Sequence, residues 1–308
     1  MRISIQDAGT CDSLGMEQGY AAIRQAGFEA IDWNIDHALR ADMIRSLNYR
    51  GNCIFEKSLE EVLAYYAEEL GIIRKNGLAI TQCHAPFPAY VPGHPELLTY
   101  MIGIYCRCIE FCDAVGIPRI VIHGNSLSHG DVINTEESIE QLNRRLFESL
   151  IPTLQRCNVT GCMENLCTWT DGVATQGTCC DPHEACRLID SLNEKAGKEC
   201  FGLCMDVGHF QLVAGNIRTY APILGSRIKC LHIHDNNAHA DQHVAPFTGT
   251  TNWNHVCQTL REIGYKGDLS FETVNQTRKP SKFDKDLVRP WLNLIYATGV
   301  VLRKHILE

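Results

Sequence analysis

The stretch LHIHDNNAHADQH at 231–243 concentrates four histidines with two aspartates. Further residues of the same kind recur at intervals along the chain, each ending a short apolar run. His84 ends AITQCH, His123 ends RIVIH, Glu164 ends TGCME, and Asp206 ends FGLCMD with His209 just beyond it. His232 and His234 end IKCLHIH, and Glu272 ends DLSFE. A carboxylate in an apolar run costs several kcal/mol to bury unpaired. A shared divalent cation satisfies several such groups at once. Glu164, Asp206, His232 and Glu272 form the expected ligand set, since two Glu, one Asp and one His make the oxygen-rich shell that suits Mn²⁺, Mg²⁺ or Co²⁺, and Zn²⁺ if more imidazoles join. His234 lies two residues after His232 and faces the same way on a strand, so it stands as the alternative ligand.

Eight apolar runs must position these residues: ISIQDA, FEAIDW, AITQCHA, RIVIHG, TGCMEN, FGLCMDV, IKCLHIHD and DLSFET. Helical patterns alternate with them over 14–26, 57–76, 95–115, 136–156, 183–195, 216–224, 253–264 and 284–304. Eight β runs each followed by a helix predict an α/β fold, a (β/α)₈ TIM barrel with 1–308 as one domain. An open doubly wound sheet is the alternative, but no Gly-rich phosphate turn opens the chain. The longest irregular stretches, 36–56, 124–135, 166–182 and 235–252, all follow strands. In a barrel they fall on the catalytic face and read as substrate loops.

Composition narrows the partners. With 28 Lys and Arg against 36 Asp and Glu, the net charge is −8, which argues against general affinity for nucleic acid phosphates. The N-terminal MRISIQDAG lacks a basic segment leading into a long apolar one, and no run of about 18 apolar residues occurs, so no membrane partner and a cytoplasmic location are expected. Sixteen cysteines without a CxxC pair read as buried reduced thiols, with the adjacent Cys179 and Cys180 the one candidate for redox sensitivity.

The set HAPF (84–87), IHGN (122–125), MEN (163–165), MDVGH (205–209), HIHDN (232–236) and FET (271–273) resembles the xylose-isomerase-like TIM barrels over essentially the whole chain. That superfamily includes sugar phosphate isomerases, ketose 3-epimerases and the endonuclease IV repair enzymes. The resemblance implies one divalent metal held by Glu164, Asp206, His232 and Glu272, with more metals open. It aligns His232 with the family ligand because Asp235 supplies the acidic residue three positions later. His209 matches a residue that touches substrate in epimerases or a further metal in the endonucleases. His84, His123, Asp241 and His243 fall where the repair enzymes keep additional zinc ligands; alternatively they line a sugar pocket and hydrogen-bond hydroxyls.

The expected function is a metal-dependent isomerase or epimerase of a sugar or sugar phosphate, with Glu164 and Glu272 moving the proton through a metal-stabilised enediolate. Two departures count against a free-hexulose 3-epimerase: Thr170 stands where those enzymes keep a second glutamate, and no arginine closely follows the seventh-strand histidine. A metal-dependent phosphodiesterase of the endonuclease IV kind is the alternative, as is another lyase or hydrolase chemistry on this fold. The basic residues Arg40, Arg45, Arg50, Arg278, Lys279 and Lys282 are too sparse for a duplex groove, though one or two could hold a substrate phosphate. A homo-oligomer is compatible with the sequence.

Overall fold

The computed structural model describes residues 1–126, 138–213 and 215–308. Ten strands occur among them: β1 (Ile3–Gln6), β2 (Ala30–Asn34), β3 (Ala79–His84), β4 (Arg119–Ile122), β5 (Thr160–Glu164), β6 (Cys167–Thr170), β7 (Val173–Gln176), β8 (Phe201–Asp206), β9 (Ile228–His232) and β10 (Leu269–Phe271). Eight of them form one sheet in the order β10-β1-β2-β3-β4-β5-β8-β9, with helices between successive strands, a (β/α)₈ TIM barrel. Each of the eight apolar runs read from the sequence supplies one of these strands. Most of their residues are buried, as parallel strands covered on both faces require. No helix among the described residues is long and apolar enough to cross a membrane.

Contacts divide the chain into two compact units, Met1–Trp33 with Glu68–Thr81 and Cys204–Glu308, and Asn34–Ala67 with Gln82–Leu203. In the first unit β1 pairs in parallel with β10 (Ile3↔Leu269, Ile5↔Phe271) and with β2 (Ser4↔Ala30, Gln6↔Asp32). The Ile233 amide donates to the Ser270 carbonyl at 2.8 Å and the Glu272 amide to the Ile233 carbonyl at 3.0 Å, so the segment leaving β9 runs beside β10. The helix Val288–Leu307 buries Leu292 and Ile295, and its Tyr296 meets Phe28 edge-on at 5.4 Å. Full burial of side chains of this size stabilises by about 1.5–3 kcal/mol each.

In the second unit β3 pairs with β4 (His84↔Val121) and β4 with β5 (Ile122↔Met163). Phe55, Tyr66 and Phe111 form an aromatic cluster with centroids 5.1 to 5.9 Å apart. The helix Ile139–Arg156 opens with a reciprocal capping box between Ser138 and Gln141.

The helices depart from expectation mainly by gaining short companions. Ala8–Leu14 precedes Met16–Ala26, Val207–Leu212 precedes Ile217–Leu224, and Val274–Ser281 precedes Val288–Leu307, which starts four residues later than expected. The helix expected from 136 is described from Ile139, and residues 127–135 of the stretch 124–135 lie outside the described residues. The stretch 166–182 is not irregular: β6 and β7 form an antiparallel hairpin within it. Its turn is Asp171-Gly172, with φ of 51° and 76°, the left-handed pair that a two-residue hairpin turn demands. All sixteen cysteines are unbridged and only Cys11, Cys106, Cys167 and Cys186 escape full burial; Cys179 and Cys180 are both buried.

Candidate active site

In the first unit the polar residues at strand ends converge. Asp206 ends β8 and caps the helix Val207–Leu212, accepting the His209 amide at 2.5 Å. One helical turn brings the His209 Nδ1 to within 3.7 Å of the same carboxylate. A Cβ at Gly208 would fall inside van der Waals contact of the His234 ring, so only glycine there leaves space for that imidazole. His234 occupies the space with its Nε2 3.1 Å from Asp206.

His232, at the end of β9, is wholly buried. Its Nε2 lies 2.9 Å from Asp32 Oδ2, while its Nδ1 lies 3.2 Å from Glu272 Oε2 and 3.9 Å from Asp206 Oδ2. Gln6 donates from Nε2 to Glu272 Oε1 at 3.1 Å. The other oxygen, Glu272 Oε2, is buried and accepts no hydrogen bond among the described residues, although His243 Nδ1 also approaches it at 3.6 Å. A buried carboxylate oxygen 3.2 Å from the His232 Nδ1 without hydrogen-bond geometry is the arrangement of two ligand atoms on one cation, while the His243 Nδ1 is taken up by the Glu272 carbonyl at 3.1 Å. The donor set Asp206, His232 and Glu272 therefore fits a divalent metal.

Asp241 and His243 reach the same region on the segment after β9, which folds around the carboxylate of Asp235. Asp235 is fully buried. Its Oδ1 accepts the amides of Asn236 and Thr251, and its Oδ2 accepts those of Phe247 and Gly249 together with the Trp253 indole N–H, all at 2.9 to 3.1 Å. Gly249 packs so closely on Asp235 and Asn236 that a Cβ has no room. Asn275 and Gln276 brace the segment from the helix Val274–Ser281, bonding the Gln242 carbonyl and the Ala245 amide. His243 sits at φ 46°, a left-handed conformation that costs a non-glycine residue of order 1 kcal/mol.

So held, His243 Nε2 is 2.9 Å and His209 Nε2 3.3 Å from Asp241 Oδ2. His243 stacks on His234 at 4.1 Å and 12°. His209, His234, Asp241 and His243 thus offer four ligand atoms lying within 4.8 Å of one another. Burial works against charge here, yet the carboxylates of Glu272 and Asp241 push the His243 imidazole up to about 9. Burial is likewise outweighed at Asp241, which the bonds from His209 and His243 hold well below the usual carboxylate range.

The second unit carries its own group. His84 Nε2 and His123 Nε2 are 3.0 Å apart, and Glu164 Oε2 lies 3.0 Å from His123 and 3.7 Å from His84. The Ala85 carbonyl, 3.0 Å from His84 Nδ1, accepts that N–H and leaves Nε2 with its lone pair. Phe87 packs against both rings, at 5.4 Å from His84 and 4.3 Å from His123.

Of the sequence-derived set, Asp206, His232 and Glu272 and the group of His209, His234, Asp241 and His243 belong to the first unit, and Glu164, His84 and His123 to the second. Two contributors went unnoticed in the sequence, Asp32 and Gln6. The signal was a polar residue closing an apolar run, in FEAID and in ISIQ. Thr170 lies exposed in the hairpin, opposite Val173. Of the basic residues, Arg40 pairs with Asp42, Arg278 with Asp12 at 2.5 Å, and Arg50 lies over the rings of Tyr49 and Tyr100.

Four matches to known proteins bear on this chain. A family model described as a xylose isomerase-like TIM barrel matches residues 20–292. The uncharacterized protein y4fM of Sinorhizobium fredii is 24% identical over 273 residues, 84% of this chain and 81% of the relative. Among solved structures, a D-tagatose 3-epimerase-like protein superposes with a TM-score of 0.66 at 18% identity, covering 97% of this chain and 99% of that one. D-psicose 3-epimerase of Clostridium cellulolyticum H10 superposes with a TM-score of 0.68 at 13% identity, covering 98% and 99%. Identities this low carry the fold.

Proposed function

Because the chain belongs to the xylose isomerase-like TIM barrel family, we propose that it is a divalent-metal-dependent isomerase or epimerase of a sugar or sugar phosphate. The observation that carries this reading is the convergence of Asp206, His232 and Glu272 on one buried point, with Glu272 Oε2 left without a hydrogen bond. Asp206, His232 and Glu272 would hold the cation. Glu164 joins them as the fourth ligand on the strength of its place in the family's motif order. The sugar class is supported by the fold neighbours, whose names refer to epimerases of D-tagatose and D-psicose.

Both isomerisation and epimerisation beside a carbonyl remove a proton from carbon and return it. A bound divalent cation supplies Lewis-acid stabilisation of the negative charge that develops on the neighbouring oxygens. Glu164 and Glu272 are the acid and base in this reading. Gln6 donates to Glu272 Oε1 and so holds the orientation of that carboxylate. His84, His123, His209 and His243 would supply ring nitrogens to sugar hydroxyls or to further metals. Thr170, exposed in the hairpin where free-ketohexose 3-epimerases keep a glutamate, argues for a different substrate within the class.

The test is proton exchange. Protein stripped with a chelator and reloaded with Mn²⁺ is incubated in heavy water with a panel of ketoses, aldoses and their phosphates. Deuterium is expected at a carbon beside the carbonyl in the wild type and is abolished in Glu164→Gln and Glu272→Gln. Exchange that persists fully in both variants removes them as acid and base, and failure to bind any divalent cation sinks the reading.

A second reading, a metal-dependent phosphodiesterase, is favoured by one observation: His84–His123–Glu164 and His209–His234–Asp241–His243 are each assembled closely enough to hold an ion of their own. Bound metal ions suit displacement at phosphorus. The net charge of −8 weighs against a nucleic acid substrate. Efficient cleavage of an oligonucleotide bearing an abasic site would reverse the ranking.

A further inference from the structure

We propose that Asp32 is a positioning residue for the metal site, holding the imidazole of His232 so that its proton stays on Nε2 and Nδ1 is presented to the cation. This rests on the metal reading above and adds a residue on β2, a strand to which no ligand had been assigned.

The argument starts from which atoms can donate. Asp32 and His232 are both fully buried, and their contact is direct, Oδ2 to Nε2 at 2.9 Å. An ionised carboxylate only accepts hydrogen bonds, so the hydrogen in this contact belongs to Nε2. In the neutral ring the remaining nitrogen, Nδ1, then carries the lone pair. Nδ1 is also the nitrogen that faces Glu272 Oε2 at 3.2 Å and Asp206 Oδ2 at 3.9 Å. The ring is therefore oriented and its tautomer chosen from behind, by a carboxylate on the side away from the other ligand atoms. Such an outer partner raises the basicity of the ligating nitrogen, and its loss generally costs 10–100-fold in metal affinity.

Strand register explains why position 32 can do this. Gln6, the last residue of β1, and Asp32, in the middle of β2, are paired neighbours. Gln6 grips Glu272 and Asp32 grips His232, so two adjacent strands steady two ligands, one ending β9 and one just after β10. Swapping the tautomer would aim an N–H at the other ligands and leave Asp32 facing a lone pair.

The experiment uses full-length protein labelled with ¹⁵N at histidine, with Zn²⁺ as the probe because it is diamagnetic; His232→Gln identifies the His232 resonances. On loading with Zn²⁺, His232 is expected to keep its proton on Nε2 and to show the metal at Nδ1. The Zn²⁺ concentration that half-saturates the His232 signal should rise 10–100-fold in Asp32→Ala. It should rise less in Asp32→Asn, which retains an acceptor oxygen without the charge. A residue that merely fills space would lower thermal stability without moving either readout. If Asp32→Ala does not fold, the wild-type spectrum still decides, since metal at Nε2 overturns the inference. Metal at Nε2, or unchanged half-saturation in Asp32→Ala, overturns it while leaving the metal reading intact. A wild type whose His232 never responds to Zn²⁺ refutes the metal reading itself, and this inference with it.

Discussion

Replacing Asp235 by Asn changes one atom in the centre of the loop that delivers Asp241 and His243. Five donors converge on that carboxylate, two on Oδ1 and three on Oδ2. An amide has one oxygen. If that oxygen takes the three-donor side, covering Phe247, Gly249 and the Trp253 indole, the new NH₂ faces the amides of Asn236 and Thr251. At least two buried donors then lose their acceptor, at about 1–3 kcal/mol each, which puts the cost at roughly 2–6 kcal/mol against a typical total stability of about 5–15 kcal/mol. The strand beneath is held independently, through the Ile233–Ser270 and Glu272–Ile233 backbone bonds. The loop is therefore expected to open locally before the protein unfolds. Hydrogen exchange should show the amides of Phe247, Gly249 and Thr251 losing protection while those of Ile233 and Glu272 keep theirs. Denaturant titration should show a loss of at least about 2 kcal/mol if opening is incomplete. Native protection across 244–251, together with a stability loss under about 1 kcal/mol, would refute the assignment of Asp235 as the anchor.

Gly208→Ala drives a methyl into the His234 ring; overpacking of this kind costs about 1–3 kcal/mol and should lower the melting temperature by a few degrees, so an unchanged melting curve would contradict the packing described. Cys53 and Cys257 are pushed up to about 11, principally by burial. Only about one thiol in a thousand is then ionised at pH 8. Labelling of these two by a thiol reagent in the native protein should be slow and should accelerate about tenfold per pH unit towards pH 11, and rapid labelling at pH 8 in folded protein would contradict their placement.

Barrel strands were legible because parallel strands are buried on both faces and read as unbroken apolar runs such as RIVI and FGLCM, punctuated by the polar residue that closes each one. His84, Glu164, Asp206, His232 and Glu272 announced themselves in this way. Asp32 and Gln6 obey the same rule, yet an aspartate in FEAIDW and a glutamine in ISIQDA look like ordinary strand ends until their partners, 200 and 266 positions away, are known. The hairpin β6–β7 was written in the Asp171-Gly172 turn and in the β-branched and aromatic residues beside it, CTWT and VATQ, but its length made it pass for loop. What the residues alone could not convey is the course of 236–253. Its shape depends on one buried carboxylate gathering donors up to eighteen positions further on, and no local propensity encodes that.

The carboxylate of Asp235 grips Phe247, Gly249, Thr251 and Trp253 on the far side of the loop and the single amide of Asn236 on the near side. Residues 237–240 hang between two fixed posts, like the replaceable bit of a tool whose shank stays clamped. That span can be lengthened, shortened or exchanged while the clamp keeps its grip. Altered substrate preference is therefore most economically sought by recombining the four residues 237–240, with Asp235, Asn236 and 241–253 kept as they stand.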